Sequence, residues 1–252
     1  MGHRIFFFVY GAICYVIFLV AFLYAIGFVG NLVVPKGIDD GEAGTLGKSI
    51  VINVTLLGLF ACQHSVMARP AFKRWWTTIV PEPIERSTYV LLTSLILFLI
   101  YWQWQPMPSV VWDVGQSVVK WPILAVCFLG WLIVLAATFM IDHFELFGLK
   151  QVWYYLRARP LPETGFQTNL LYRYTRHPIM LGFVIAFWAA PTMSQGRLLF
   201  AVVTTVYILV AIQIEEHDLM KMIGDDYRKY RNQVSMLIPV VPNKRRQGPH
   251  ES

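Results

Sequence analysis

Residues Ile5 to Gly30 read IFFFVYGAICYVIFLVAFLYAIGFVG, 26 positions without a single charge. About 20 apolar residues suffice for a helix to cross a hydrocarbon core of about 30 Å, so this stretch alone predicts a transmembrane helix. Arg4 before an apolar run imitates a secretory signal, but the run is too long and no small-residue cleavage site closes it. Outward from it lie five more charge-free windows: Ser49 to Ala68, Ser87 to Trp112, Trp121 to Ile141, Pro178 to Ser194 and Leu198 to Ile214. The expected fold is therefore all-α, a polytopic membrane bundle of about six transmembrane helices. The last two windows are separated by Gln195, Gly196 and Arg197 and read as a tight helical hairpin, with Pro191 ending the first of its helices.

Composition agrees with that reading. Of 252 residues, 56% are hydrophobic and 14% charged, against about 25% charged in a soluble globular chain. Such a sequence has too little polar surface for a water-soluble fold. Cys14, Cys62 and Cys127 fall inside the windows, where cysteine behaves as a small apolar residue, so no disulfide is expected.

The loops set the orientation. Arg69, Lys73, Arg74 and Arg86 follow the second window, and Lys150, Arg157, Arg159, Arg173 and Arg176 follow the fourth. Lys221, Arg228, Lys229, Arg231, Lys244, Arg245 and Arg246 follow the sixth. Lys36 and Lys48 on the other side are offset by Asp39, Asp40 and Glu42, leaving Lys120 and Arg197. Short loops rich in Lys and Arg stay inside, which puts both termini in the cytoplasm. The net charge of +6 is thereby explained without nucleic acid as a partner, and Lys244 to Arg246 read as a basic patch beside anionic membrane lipid. Tyr101, Trp102 and Trp104 read as interface anchors at the outer end of the third span.

With this topology His64, His143, His177 and His217 lie near one membrane face, together with Asp142, Glu145, Glu215 and Glu216. Ionisable groups at membrane depth are functional candidates, and His64, flanked by Gln63 and Ser65 inside an apolar span, stands out among them. The chain divides at residue 141 into an N-terminal four-span bundle, 1–141, and a C-terminal region, 142–252, which holds the hairpin and two polar segments able to cover the inner helix ends. In the second of these segments Leu219, Ile223 and Tyr227 recur at i, i+4 and i+8, the spacing of one amphipathic helix.

Tyr172-Arg173-Tyr174-Thr175-Arg176-His177-Pro178-Ile179-Met180-Leu181-Gly182 resembles the Arg-His-Pro-x-Tyr-x-Gly signature of the isoprenylcysteine carboxyl methyltransferase and phospholipid methyltransferase superfamily. Its second half follows as Glu215-Glu216, Gly224-Asp225-Asp226-Tyr227, Tyr230 and Ile238-Pro239. Met180 stands where the signature has Tyr and points to a subfamily. Gln63 to Pro70 and Asp142 to Gly148 extend the likeness, over nearly the whole chain, to the bacterial methanethiol S-methyltransferase family.

The resemblance implies S-adenosylmethionine as cofactor and a small-molecule thiol as substrate. It also implies a cytoplasmic cofactor site. Glu215 and Glu216 suit the ammonium and ribose hydroxyls, Arg173 or Arg176 the carboxylate. Pro178 in a first helical turn leaves His177 at a helix N-terminus facing an anion, and Tyr172, Tyr174, Tyr227 and Tyr230 offer ring faces to a sulfonium. Only a thiolate is a good nucleophile, and a neutral histidine is a suitable acceptor for the proton; His64 is the first candidate and His143 the second. A lipid-borne carboxylate or phospholipid amine remains an alternative acceptor. A haem-binding electron carrier, or a sensor without turnover, remains an alternative of another class, although no regularly spaced histidine pair supports haem.

Overall fold

The computed structural model describes residues 1–162 and 168–239, so the basic patch at Lys244 to Arg246 lies outside the described residues. Among the described residues, five helices are long and apolar enough to cross a membrane: α1 (Gly2–Gly30), α2 (Leu46–Met67), α4 (Glu82–Gln103), α5 (Lys120–Ile141) and α9 (Gln195–Met222). Short helices α3 (Pro70–Trp76), α6 (His143–Leu146) and α7 (Leu149–Leu156) and a 3-10 turn (Leu170–Arg173) connect them. They are followed by α8 (Pro178–Trp188) and, after α9, by α10 (Asp225–Gln233). In lipid every backbone group must be satisfied within its own segment, which leaves the helix as the form for each apolar window. The protein is an all-α integral membrane protein.

The expected hairpin of two spanning helices differs in detail. α8 has 11 residues, roughly 16 Å at 1.5 Å per residue, and it stops three residues before Pro191. The residue preceding a proline is driven to extended backbone, and the chain continues extended into β2 (Thr192–Ser194), antiparallel to β1 (Val110–Asp113). Gln195, Gly196 and Arg197 are the first turn of α9, whose start Ser194 caps by accepting from the Arg197 N–H at 3.1 Å.

The strands mark the face opposite the signature residues. There Asp39 accepts from Arg197 Nε at 2.8 Å and from Ser194 Oγ at 2.5 Å. Asn53 exchanges two hydrogen bonds with the Gln105 backbone, 2.8 and 2.9 Å. Beneath this cap, Phe28, Tyr101, Trp104, Trp131, Phe187 and Phe200 fill the far half of the bundle. Of the three expected interface anchors only Trp102 is exposed, at 71%. Trp104 packs against Phe28 and Phe200, and Tyr101 donates to the Ala21 carbonyl at 3.1 Å, because the end of α4 turns inward under the cap.

Close helix contact runs through small residues, as it does in other membrane bundles. α5 and α8 meet at Gly130 and Gly182: a Cβ on Gly182 would lie 2.7 Å from the Gly130 carbonyl oxygen and 2.8 Å from the Val134 nitrogen. α7 lies along the first half of α1, where a Cβ on Gly11 would lie 2.6 Å from Val152. Cys14, Cys62 and Cys127 are free thiols.

Candidate functional site

α9 has 28 residues, about 42 Å at 1.5 Å per residue, longer than a bilayer core, and its last turns carry Glu215, Glu216 and Asp218 beyond the neighbouring apolar ends. Helix α9 and α10 are separate. Gly224 takes φ 73°, ψ −131°, a conformation glycine alone adopts readily, so Leu219 and Tyr227, expected on one amphipathic helix, fall on two. The break folds α10 back over the signature turn.

Glu216 is the centre of what results. It is 1% exposed. Its Oε1 accepts from Arg176 Nε at 2.6 Å and from His177 Nε2 at 3.1 Å, and its Oε2 pairs with Arg231 Nε at 3.1 Å. A buried charge is tolerated only when paired and hydrogen-bonded, and here three donors serve one carboxylate. Arg176 also donates through Nη1 to the carbonyls of Arg231, at 2.9 Å, and Val234. The Arg176 N–H reaches the Ser235 carbonyl at 2.9 Å, Thr175 Oγ1 the Met236 carbonyl at 3.0 Å, and Tyr230 Oη the Tyr172 carbonyl at 2.5 Å. The two polar segments are thus stitched to each other across the helix ends. Burial pushes the Tyr230 phenol up to about 12 and raises those of Tyr172 and Tyr227 as well, so all three stay neutral.

Glu215 differs from its neighbour. Its side chain is 46% exposed, and His177 Nδ1 stands 3.7 Å from its Oε2, beyond a hydrogen bond. It lies within electrostatic reach of Tyr172 on one side and Tyr207 on the other. Tyr207 hydrogen-bonds Ser65 at 3.1 Å, and Arg69 pairs with Asp218 at 2.9 Å, fastening α2 to α9. His64 is one residue away from Ser65. Its ring stacks on Phe60 at 5.3 Å, and Tyr89 Oη lies 2.9 Å from Nδ1 and 3.1 Å from Nε2.

The structure therefore brings Tyr172, Arg176, His177, Pro178, Glu215, Glu216 and Tyr227 together. Pro178 occupies the first position of α8 and His177 its N-cap. Arg173 and Tyr174 border the cluster as exposed side chains, and Tyr174 is 46% exposed. His143 is elsewhere. It is 5% exposed, stacks on Phe139 at 4.2 Å, and bonds Thr138 Oγ1 through Nδ1 at 2.8 Å and Tyr15 Oη through Nε2 at 2.9 Å. Both ring nitrogens are thus used in joining α5 to α1. Beside it Lys150, despite burial that disfavours its charge, is held above the ordinary lysine range by Asp142 and Glu145 at 2.6 and 2.8 Å. Sequence reasoning passed over Arg231, Tyr89 and Tyr207. Tyr89 had a usable signal: with Thr93 it forms an i, i+4 polar pair in a charge-free window, opposite the Gln63-His64 pair, and Thr93 Oγ1 donates to Gln63 Oε1 at 3.2 Å.

The family described as NnrU protein matches residues 53–212. Methanethiol S-methyltransferase of Mycobacterium tuberculosis is 60% identical over 231 residues, 92% of this chain and 95% of its own. Methanethiol S-methyltransferase 1 of Bradyrhizobium diazoefficiens is 54% identical, covering 94% of this chain and 85% of its own. Nurim of Bos taurus is 31% identical over 77% of this chain and 80% of its own. No solved structure matches. A membrane protein whose helix ends gather this cluster, and whose relatives carry that name, is an enzyme that uses a methyl donor on a small molecule: the chain belongs to the NnrU protein family and to the methanethiol S-methyltransferases.

Proposed function

We propose that the protein transfers the methyl group of S-adenosylmethionine to methanethiol, releasing dimethyl sulfide and S-adenosylhomocysteine. The names of relatives up to 60% identical support the acceptor. The observation that carries the site is the contrast within one carboxylate pair: Glu216 is consumed by Arg176, His177 and Arg231, whereas Glu215 beside it is open. The residues fit the cofactor. Glu215 receives its ammonium or ribose hydroxyls, exposed Arg173 its carboxylate, and the Tyr174 ring face its sulfonium; Glu216 and Arg176 keep these groups in place from behind.

When bound, S-adenosylmethionine supplies an electrophilic methyl on sulfur. His64 takes the thiol proton as the new bond forms, in surroundings made apolar by the rings of Phe60, Tyr89 and Tyr207. The Lys- and Arg-rich segments on the signature face support a cytoplasmic side for that face and for both termini, and the bacterial relatives favour a bacterial inner membrane. Methanethiol then reaches the site through the apolar bilayer, and the charged cofactor reaches it from water.

The test is headspace detection of dimethyl sulfide from purified protein given methanethiol and S-adenosylmethionine. Product that disappears when either reactant is left out is the expected result. Cofactor binding without product, together with methylation of an isoprenylcysteine carboxylate or phospholipid amine, would replace the acceptor.

A further inference from the structure

We propose that Arg86 holds the nucleophile, its guanidinium serving as counter-ion to the thiolate beside His64. This role rests on the reading of methanethiol as acceptor. Arg86 and Tyr89 are three residues apart on α4 and so share one face of the helix, with Arg86 Cζ 5.9 Å from the centre of the Tyr89 ring. That face is turned to α2. Tyr89 Oη sits over the face of the His64 ring, 2.9 Å from Nδ1 and 3.1 Å from Nε2, and one turn further along α4 Thr93 donates to Gln63. Arg86 is therefore at the signature-face mouth of the seam between α2 and α4, and its charge is within electrostatic reach of both His64 and Tyr89.

That charge lacks a counter-ion. Arg86 is half-buried, and among the described residues its guanidinium makes no hydrogen bond or ion pair, only the contact with the Tyr89 ring. The charges around it are spent on one another. Arg69 at the end of α2 donates to the Ser65 carbonyl at 3.1 Å and pairs with Asp218 of α9 at 2.9 Å. The Glu85 carboxylate, next to Arg86 in the chain, is turned to Lys73 of α3 at 3.4 Å. From α9, Tyr207 is tied to Ser65, and Glu215 lies on the side of Tyr207 and Tyr172. A cation drawn out of water is costly without an opposite charge, and an unpaired one at membrane depth marks a ligand. A small anion with one methyl group suits the aromatic rings beside it.

The chemistry gains from such a cation. A free thiol is mostly protonated at neutral pH, and an opposite charge within about 4–6 Å lowers an acid's pKa by about 1–3. Each tenfold gain in thiolate costs roughly threefold in the reactivity of each ion, so the net gain is about threefold for each tenfold. The S–H bond breaks, its proton passes to His64, and the electron pair stays on sulfur against Arg86. That pair then forms the new S–C bond while the sulfonium C–S pair leaves with the departing thioether. Dimethyl sulfide is neutral, so Arg86 has no hold on the product.

The experiment compares wild type, Arg86→Gln and Arg86→Lys as full chains in detergent or lipid, with thiocyanate, a small anion carrying a terminal sulfur, as the probe. In the wild type thiocyanate should inhibit in competition with methanethiol and not with S-adenosylmethionine, against chloride at equal ionic strength. Arg86→Gln should weaken that inhibition roughly 10- to 150-fold, the range of one hydrogen bond to a charged group. It should also move the acidic limb of kcat, which reports the enzyme–substrate complex, to higher pH by about 1–3, because losing a cation makes deprotonation in the complex harder. Arg86→Lys should regain part of both, since the charge is kept and the planar fork is lost. Unchanged S-adenosylmethionine affinity certifies the fold; should Arg86→Gln not fold, the wild-type competition and Arg86→Lys decide. Thiocyanate competing with S-adenosylmethionine would overturn the proposal by giving Arg86 to the cofactor carboxylate. Wild-type inhibition and an unmoved limb in Arg86→Gln would overturn it by reducing Arg86 to a packing contact with Tyr89. Absence of dimethyl sulfide from the wild type would remove the acceptor and this role with it, a different result from turnover that ignores Arg86.

Discussion

Replacing Glu216 and Glu215 one at a time by glutamine separates the two halves of the carboxylate pair. At Glu216 the change removes a charge that is 1% exposed and serves three donors at 2.6, 3.1 and 3.1 Å. The glutamine keeps one acceptor oxygen, but its new N–H₂ faces an arginine, leaving a guanidinium without its counterion. Removing one partner of a buried pair costs about 3–5 kcal/mol, and at about 2–4 °C per kcal/mol for a chain of this size the expected fall in thermal midpoint is roughly 6–20 °C. The loss should centre on the contact between α10 and the signature turn, because Arg176 and Arg231 are the cations released. At Glu215 the side chain is 46% exposed with one contact at 3.7 Å, and loss of such a loose surface pair costs under about 1 kcal/mol. S-adenosylmethionine affinity, in contrast, should drop about 10- to 150-fold, the equivalent of the ~1.5–3 kcal/mol of one hydrogen bond to a charged group. Thermal unfolding, amide exchange over Asp225 to Gln233 and calorimetric cofactor titration measure the three quantities. Native-like exchange and midpoint in Glu216→Gln, or unchanged affinity in Glu215→Gln, would refute the division of roles.

Gly182→Ala puts a methyl 2.7–2.8 Å from the α5 backbone, where nothing flexible can give way, and should destabilise the bundle by about 1–3 kcal/mol, read as a lower unfolding midpoint. Arg197→Ala strips the counterion from partly buried Asp39, whose side chain is 19% exposed. A loss of about 1–3 kcal/mol is expected, reduced from the fully buried case, with unchanged cofactor affinity because this pair lies at the opposite face. Burial holds the His143 imidazole below the ordinary histidine value of about 6.5, with Asp142 opposing. Above that pH it is neutral folded and unfolded alike; as pH falls below about 6.5 the unfolded chain takes up the proton first, so stability declines. His143→Gln should flatten the change in unfolding midpoint between pH 7.5 and 5.5.

The all-helical membrane fold was legible in the sequence because lipid imposes a length and a composition on each span, and both are properties of a window. The proline at a helix start and the charged pair at a helix end were legible for a related reason, being local features; the break at Gly224, which divides the expected single amphipathic helix, was not read. What needed partners distant in sequence was not legible. The three-residue shortening of α8 follows from Pro191 together with pairing to a strand 79 to 84 residues earlier. Trp104 became core, not an interface anchor, because the cap made by Asp39 and Arg197 closes above it. Glu215 and Glu216, adjacent and chemically identical, differ only in which way a helix turns them. α10 folds back onto one and supplies Arg231, while the other is left open. His64 and His143 looked alike in sequence as histidines at one depth. Packing gave His143 two structural partners and set His64 beside a single phenol, because a side chain's neighbours across a bundle are chosen by helix rotation and not by sequence spacing.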